Sequence, residues 1–130
     1  MLNSELLYSL EYPSQSRAEV HSLLNRGANV NTRRNDGYTA LMDAIAFGQT
    51  DAAKELLLRG ADVTAVSNAG DTPLSVAASV GDEPMVRLLL SKGAIKATHD
   101  KDGKTPADWA RQSGHLRIYN LLLSDVRARP

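Results

Sequence analysis

The apolar positions of this chain fall into a recurring unit. Leucine pairs stand at Leu23–Leu24, Leu56–Leu57, Leu89–Leu90 and Leu122–Leu123, each pair 33 residues beyond the last. The first three leucine-rich runs are closed by a Gly–Ala step, at Gly27–Ala28, Gly60–Ala61 and Gly93–Ala94, where a glycine in the left-handed conformation ends a helix. The same 33-residue interval links Gly37, Gly70 and Gly103, then Thr39, Thr72 and Thr105, then Gly48, Gly81 and Gly114. A fixed period of this size marks a stacked array, in which each unit buries its apolar face only against its neighbours.

Local chemistry divides each unit into two helices. In Thr72–Pro73 and Thr105–Pro106 the threonine oxygen caps a helix, and proline takes the first helical position, where a missing N–H costs nothing. Gly48, Gly81 and Gly114 break that short helix, and Asp82-Glu83-Pro84 signals the start of a second. Asn35-Asp36-Gly37 and Asn68-Ala69-Gly70 carry turn chemistry and predict the tip of a projecting hairpin.

The run from Gly70-Asp71-Thr72-Pro73-Leu74 through Ala77-Ala78 to Gly81, continued by motifs such as Gly60-Ala61-Asp62-Val63, resembles the ankyrin repeat over nearly the whole chain. The resemblance implies an all-α, ankyrin-repeat solenoid of stacked helix-turn-helix units with projecting hairpin loops. The expected organisation is a single domain over 1–130, with units 1–33 (N-cap), 34–66, 67–99 and 100–130 (C-cap). Polar residues at the ends support the caps. Glu19 and Ser22 occupy positions filled by Ala52 and Glu55 or by Met85 and Leu88 in the inner units, while Val126 replaces the glycine and Arg111 replaces Ile45 or Ala78. Ser16-x-x-Glu19 reads as a capping box, and Tyr12-Pro13-Ser14-Gln15 as an irregular connection. These features describe an array closed at both ends. The pattern also departs from the family. Met42, Ser75 and Asp108 replace the usual histidine, Ala40 replaces proline, and Asp43 enters a first helix. Asp108 is positioned to close a capping box with Thr105.

Composition narrows the function. A chain of 130 residues with 42% hydrophobic content supplies one continuous core. Fifteen Lys and Arg against fifteen Asp and Glu leave no global field to attract nucleic acid or an anionic membrane. Without cysteine the chain has neither disulfides nor thiolate metal sites, and Met1 to Leu10 lack the basic start and apolar run of a signal peptide. No apolar stretch approaches the ~20 residues that cross a bilayer. The expectation is a cytoplasmic protein, monomeric when free, that engages neither nucleic acid nor membrane.

Catalytic motifs are missing. No phosphate loop, dinucleotide turn, nucleophile elbow or H-E-x-x-H helix occurs. His21, His99 and His115 do not cluster in sequence; His21 and His115 read as solvated or capping residues. Asp36, Asp71 and Asp102 recur near the tips, where turn formation accounts for them. Lys101, Lys104, Arg111, Arg117, Arg127 and Arg129 make the last unit locally basic, but Asp100, Asp102 and Asp108 interrupt them, and the chain has little aromatic surface for stacking bases. The reading is a non-enzyme without cofactor or metal. The competing reading is an enzyme or metal-binding protein that uses His99 with Asp100 and Asp102.

The resemblance further implies that hairpin tips and first helices line a concave surface that binds another protein, as an adaptor or inhibitor. The chain resembles small bacterial ankyrin proteins, some of which neutralise a toxin or regulate a partner enzyme, and its short size also resembles eukaryotic ankyrin kinase inhibitors. Carried onto this sequence, the concave strip includes Arg33, Asn35, Asp36, Tyr38, Met42, Ala46 and Phe47, then Val66, Asn68, Ala69, Asp71, Ser79 and Val80, and finally His99, Lys101, Asp102, Lys104, Gln112 and Ser113. Phe47, the only phenylalanine, is the foremost expected contact, with Tyr38, Met42 and Val80 extending it into an apolar patch flanked by Asp36 and Asp71. Trp109, by contrast, is assigned to the core.

Overall fold

The computed structural model describes residues 1–11 and 17–127, the last four through their backbone alone. The connection at 12–15, the Ser16 half of the first capping box and Arg129 therefore lie outside the described residues. Among the described residues eight helices follow in pairs: α1 (Leu2–Glu11) with α2 (Arg17–Asn25), α3 (Ala40–Ala46) with α4 (Thr50–Leu58), α5 (Pro73–Val80) with α6 (Glu83–Ser91), and α7 (Pro106–Gln112) with α8 (Leu116–Arg127). The first helices stack in the order α1, α3, α5, α7. Behind them α2 packs on α4 and α6 on α8. The helix α8 continues through Val126, the position where inner units have glycine.

The predicted starts hold. Thr39, Thr72 and Thr105 have extended backbones, and each side chain accepts a hydrogen bond from the N–H three residues on. Ser75 and Asp108 return the bond to the backbone of Thr72 and Thr105, completing two capping boxes in positions where the family has histidine. Such a cap is worth about 1 kcal/mol, so the missing histidine is compensated locally.

One apolar spine runs through the first helices and the inner faces of the second. It contains Leu6, Leu10, Leu41, Leu56, Leu74 and Leu89, all essentially inaccessible, and burying each such side chain contributes ~1.5–3 kcal/mol. The outer face of α2 is polar, with Glu19 and Ser22 exposed.

Between the helix pairs the chain forms hairpins, and these stack tip on tip. Each is closed by one repeated bond, with the N–H of Arg34, Ser67 and Asp100 donating to the carbonyls of Tyr38, Asp71 and Lys104. Successive tips are then joined by Asn68 N–H to Asp36 O at 2.9 Å and Lys101 N–H to Ala69 O at 3.1 Å. The approach is close enough to require glycine. Gly70 has φ +91, and a Cβ there would stand 2.6 Å from the Cα of Asp100.

On the opposite side, units are tied by charge. Glu55, with its side chain 6% exposed, accepts from Arg17 Nε at 3.1 Å and Arg59 Nε at 3.1 Å and lies 2.9 Å from His21 Nδ1. His21 is thus an inter-unit contact rather than a merely solvated residue. These partners hold the Glu55 carboxyl below its usual range, the His21 hydrogen bond being the largest cause.

Candidate functional site

A shallow groove of about 230 Å³ opens where the first two hairpins meet α3, α5 and α7. It is lined by Tyr38, Ala46, Asp71, Ser75, Val76, Ser79, Val80 and Trp109. Its position follows from the stack: the short first helices end early, leaving Ala46, Ser79 and Val80 beside hairpin residues brought forward from the loops.

Tyr38 forms one wall. Its hydroxyl donates to Asp71 Oδ2 at 3.1 Å, joining equivalent hairpins of units two and three. Burial, and then the Asp71 carboxylate, push the phenol up to about 12, so it remains a proton donor at neutral pH. The Arg34 guanidinium lies 5.1 Å from the ring centroid. Arg34 is itself engaged by Asp36 at 2.9 Å and by Asp43 at 3.5 Å.

Trp109 forms the opposite wall, and here the expectation of a core residue fails. The indole is only partly buried and borders the groove. The reason is size. The equivalent positions Asp43 and Val76 are filled by smaller side chains that end within the stack, whereas the indole extends past it. Its Nε1–H donates to Asp100 Oδ2 at 2.7 Å, and the Lys104 ammonium stands 4.6 Å from its ring. Asp100 Oδ1 accepts from the N–H groups of Asp102 and Lys104, which with the indole bond keeps its carboxyl acidic.

The remaining expected contacts divide clearly. Phe47, at the C-terminal cap of α3, is 47% exposed, and Val80 is 46% exposed; Phe47 lies outside the lining of the groove. Val66 is similarly exposed. Asn35, Asp36, His99 and Lys101 are exposed, and Lys104 is half-buried with its Nζ donating to Gln112 at 2.6 Å. Asn68 is exposed yet structural, since its side chain donates to Asn35 O at 3.1 Å and its backbone to Asp36. Arg33 likewise bridges Gly37 O and Val66 O.

Met42 is a correction. It is 0% exposed and part of the core cluster, because it stands on the first turn of α3, a helix packed between α1 and α5. It belongs to the core and offers nothing to a partner. The grouping of His99 with Asp100 and Asp102 is drawn into the hairpin. Asp100 binds hairpin N–H groups and the indole, and among the described residues no three His, Cys, Asp or Glu side chains converge as a metal site would require. Among the same residues no helix is long and apolar enough to cross a membrane.

Comparison with protein families agrees with this architecture. A family model described as ankyrin repeats (3 copies) matches residues 55–130, and another described as ankyrin repeats (many copies) matches residues 23–77. No curated protein matches the chain. The chain belongs to the ankyrin-repeat family, whose members are generally protein–protein interaction modules and typically non-catalytic.

Proposed function

We propose that this protein is an adaptor or inhibitor that binds one partner protein through its concave face. The observation that carries the reading is the exposure of Phe47 and Val80, two large apolar side chains at equivalent helix ends that the fold does not bury. Beside them lies the groove between Tyr38 and Trp109. Apolar contacts ringed by polar groups are the usual energetic centre of an interface. The walls are held by hydrogen bonds before any partner arrives, which limits the ordering entropy lost on association. Asp36, Asp71, His99, Lys101 and Lys104 supply a mixed polar rim suited to orientation and specificity.

Affinity capture with the tagged protein, repeated with Phe47→Ala and Tyr38→Ala, tests the assignment. A specific partner should be retained by the unaltered protein and weakened by both substitutions. Undiminished retention by both would place the interface elsewhere.

A further inference from the structure

Among the described residues the carboxylate on the groove has no ion-pair partner. Asp71 accepts the Tyr38 hydroxyl at Oδ2, but among the described residues no Lys, Arg or His forms an ion pair with it. The two nearby cations are committed elsewhere: Arg34 to Asp36 and Asp43, and Lys104 to Gln112. Neither lines the groove. Around Asp71 stand two aromatic walls, Tyr38 and Trp109, with Ala46, Val76 and Val80 adding apolar surface. Aromatic faces attract cations; the protein's own Arg34 and Lys104 already lie over these two rings, so the anchor for a further positive charge is the Asp71 carboxylate and the rings supply apolar walls. A side chain with an apolar stem and a positive head satisfies both kinds of lining at once.

We infer that the groove between Tyr38 and Trp109 receives a lysine or arginine side chain of the partner protein, with its stem against Val76 and Val80 and its charge on Asp71. The inference rests on the concave-face reading and adds the chemistry of the residue recognised. The aromatic walls are fixed in place, Tyr38 by Asp71 and Trp109 by Asp100, so the receptor exists in the free protein.

The test uses N-acetyl-lysine methylamide and N-acetyl-arginine methylamide as probes, with N-acetyl-norleucine methylamide as the uncharged control. Binding is read from the indole N–H resonance of Trp109, the single tryptophan of the chain. At least one cationic probe should shift this resonance saturably, with the control at least about tenfold weaker. Asp71→Asn keeps an acceptor for the Tyr38 hydroxyl and removes the charge, and should weaken the cationic probe by about tenfold or more at an unchanged melting temperature. Which of the two cationic probes binds more tightly identifies the residue type. Equal binding of norleucine, undiminished binding to Asp71→Asn, or no saturable shift with either cation would overturn the proposal. The broader reading fails separately. A purified partner whose affinity falls with Phe47→Ala but not with Asp71→Asn overturns the cation receptor alone, whereas loss of neither overturns the concave interface itself.

Discussion

Replacing Asp43 by asparagine should stabilise the protein at neutral pH and leave it nearly unchanged in acid. Asp43 lies on α3 with its side chain 1% exposed, and its Oδ2 is buried without a hydrogen-bond partner. The Arg34 guanidinium is 3.5 Å from Oδ1 and is shared with Asp36 and, at 4.0 Å, Glu11. Burial outweighs Arg34 and raises the carboxyl from 3.8 to about 6, with Glu11 and Asp36 adding repulsion. Below pH 3.8 the group is neutral in both folded and unfolded chains, and folding is not penalised. As pH rises toward and through 6 the unfolded chain ionises more readily, and the folded state loses stability that reaches about 3 kcal/mol on the plateau. The asparagine side chain cannot ionise, so the Asp43→Asn advantage should grow from near zero at about pH 4 to about 2–3 kcal/mol at about pH 7. Urea unfolding followed by far-ultraviolet circular dichroism, on both proteins across that range, measures it. Taking the difference matters, because Asp36, Glu55, Asp62, Glu83, Asp100 and Asp108 are all held acidic in the fold. Those groups stabilise the protein above their unfolded values, and all but Asp36, which shares Arg34 with Asp43, cancel between the two variants. A flat difference, or an asparagine variant less stable at neutral pH, would refute the claim that an ionised Asp43 is a burden on the stack.

Three further outcomes follow from the packing. Gly70→Ala should destabilise by about 2–3 kcal/mol in urea titration, because it combines a left-handed backbone with a clash against the next hairpin, whereas Gly103→Ala, with open space beside it, should cost about 1 kcal/mol. Glu55→Ala removes the buried partner of Arg17, Arg59 and His21 and should cost about 2–4 kcal/mol near neutral pH; since these partners hold the Glu55 carboxyl below its ordinary value, that cost should shrink as pH falls through the carboxylate range. Met42→Ala should lower stability by about 2–5 kcal/mol through a core cavity, while Phe47→Ala, at an exposed position, should leave the melting temperature almost unchanged.

Much of the fold was legible because a repeat states each structural requirement several times. The Thr–Pro starts, the Asp108 capping box and the glycine positions recur at one interval and need only local chemistry to interpret. Side-chain direction within a helix of seven or eight residues was less legible. Met42 and Phe47 both belong to the α3 segment, yet one is buried in the core and the other, at the C-terminal cap, is half exposed. Trp109 shows the reverse error: its repeat position is interior, but the indole outgrows the space that Val76 fills. Pairings such as Glu55 with Arg17 and His21 span more than a repeat and depend on how units stack. A clue did exist for Asn68, since the Asn-x-Gly turn recurs from unit to unit and such a residue serves the hairpin before it serves a partner.

Hydrogen exchange of the protein with and without its captured partner tests the central claim most directly. The concave reading predicts slowed exchange at the hairpins around Tyr38 and Asp71 and at the C-terminal ends of α3 and α5, with the outward faces of α4 and α6 unchanged. Protection confined to α4 and α6, where Leu58 is also exposed, would contradict it.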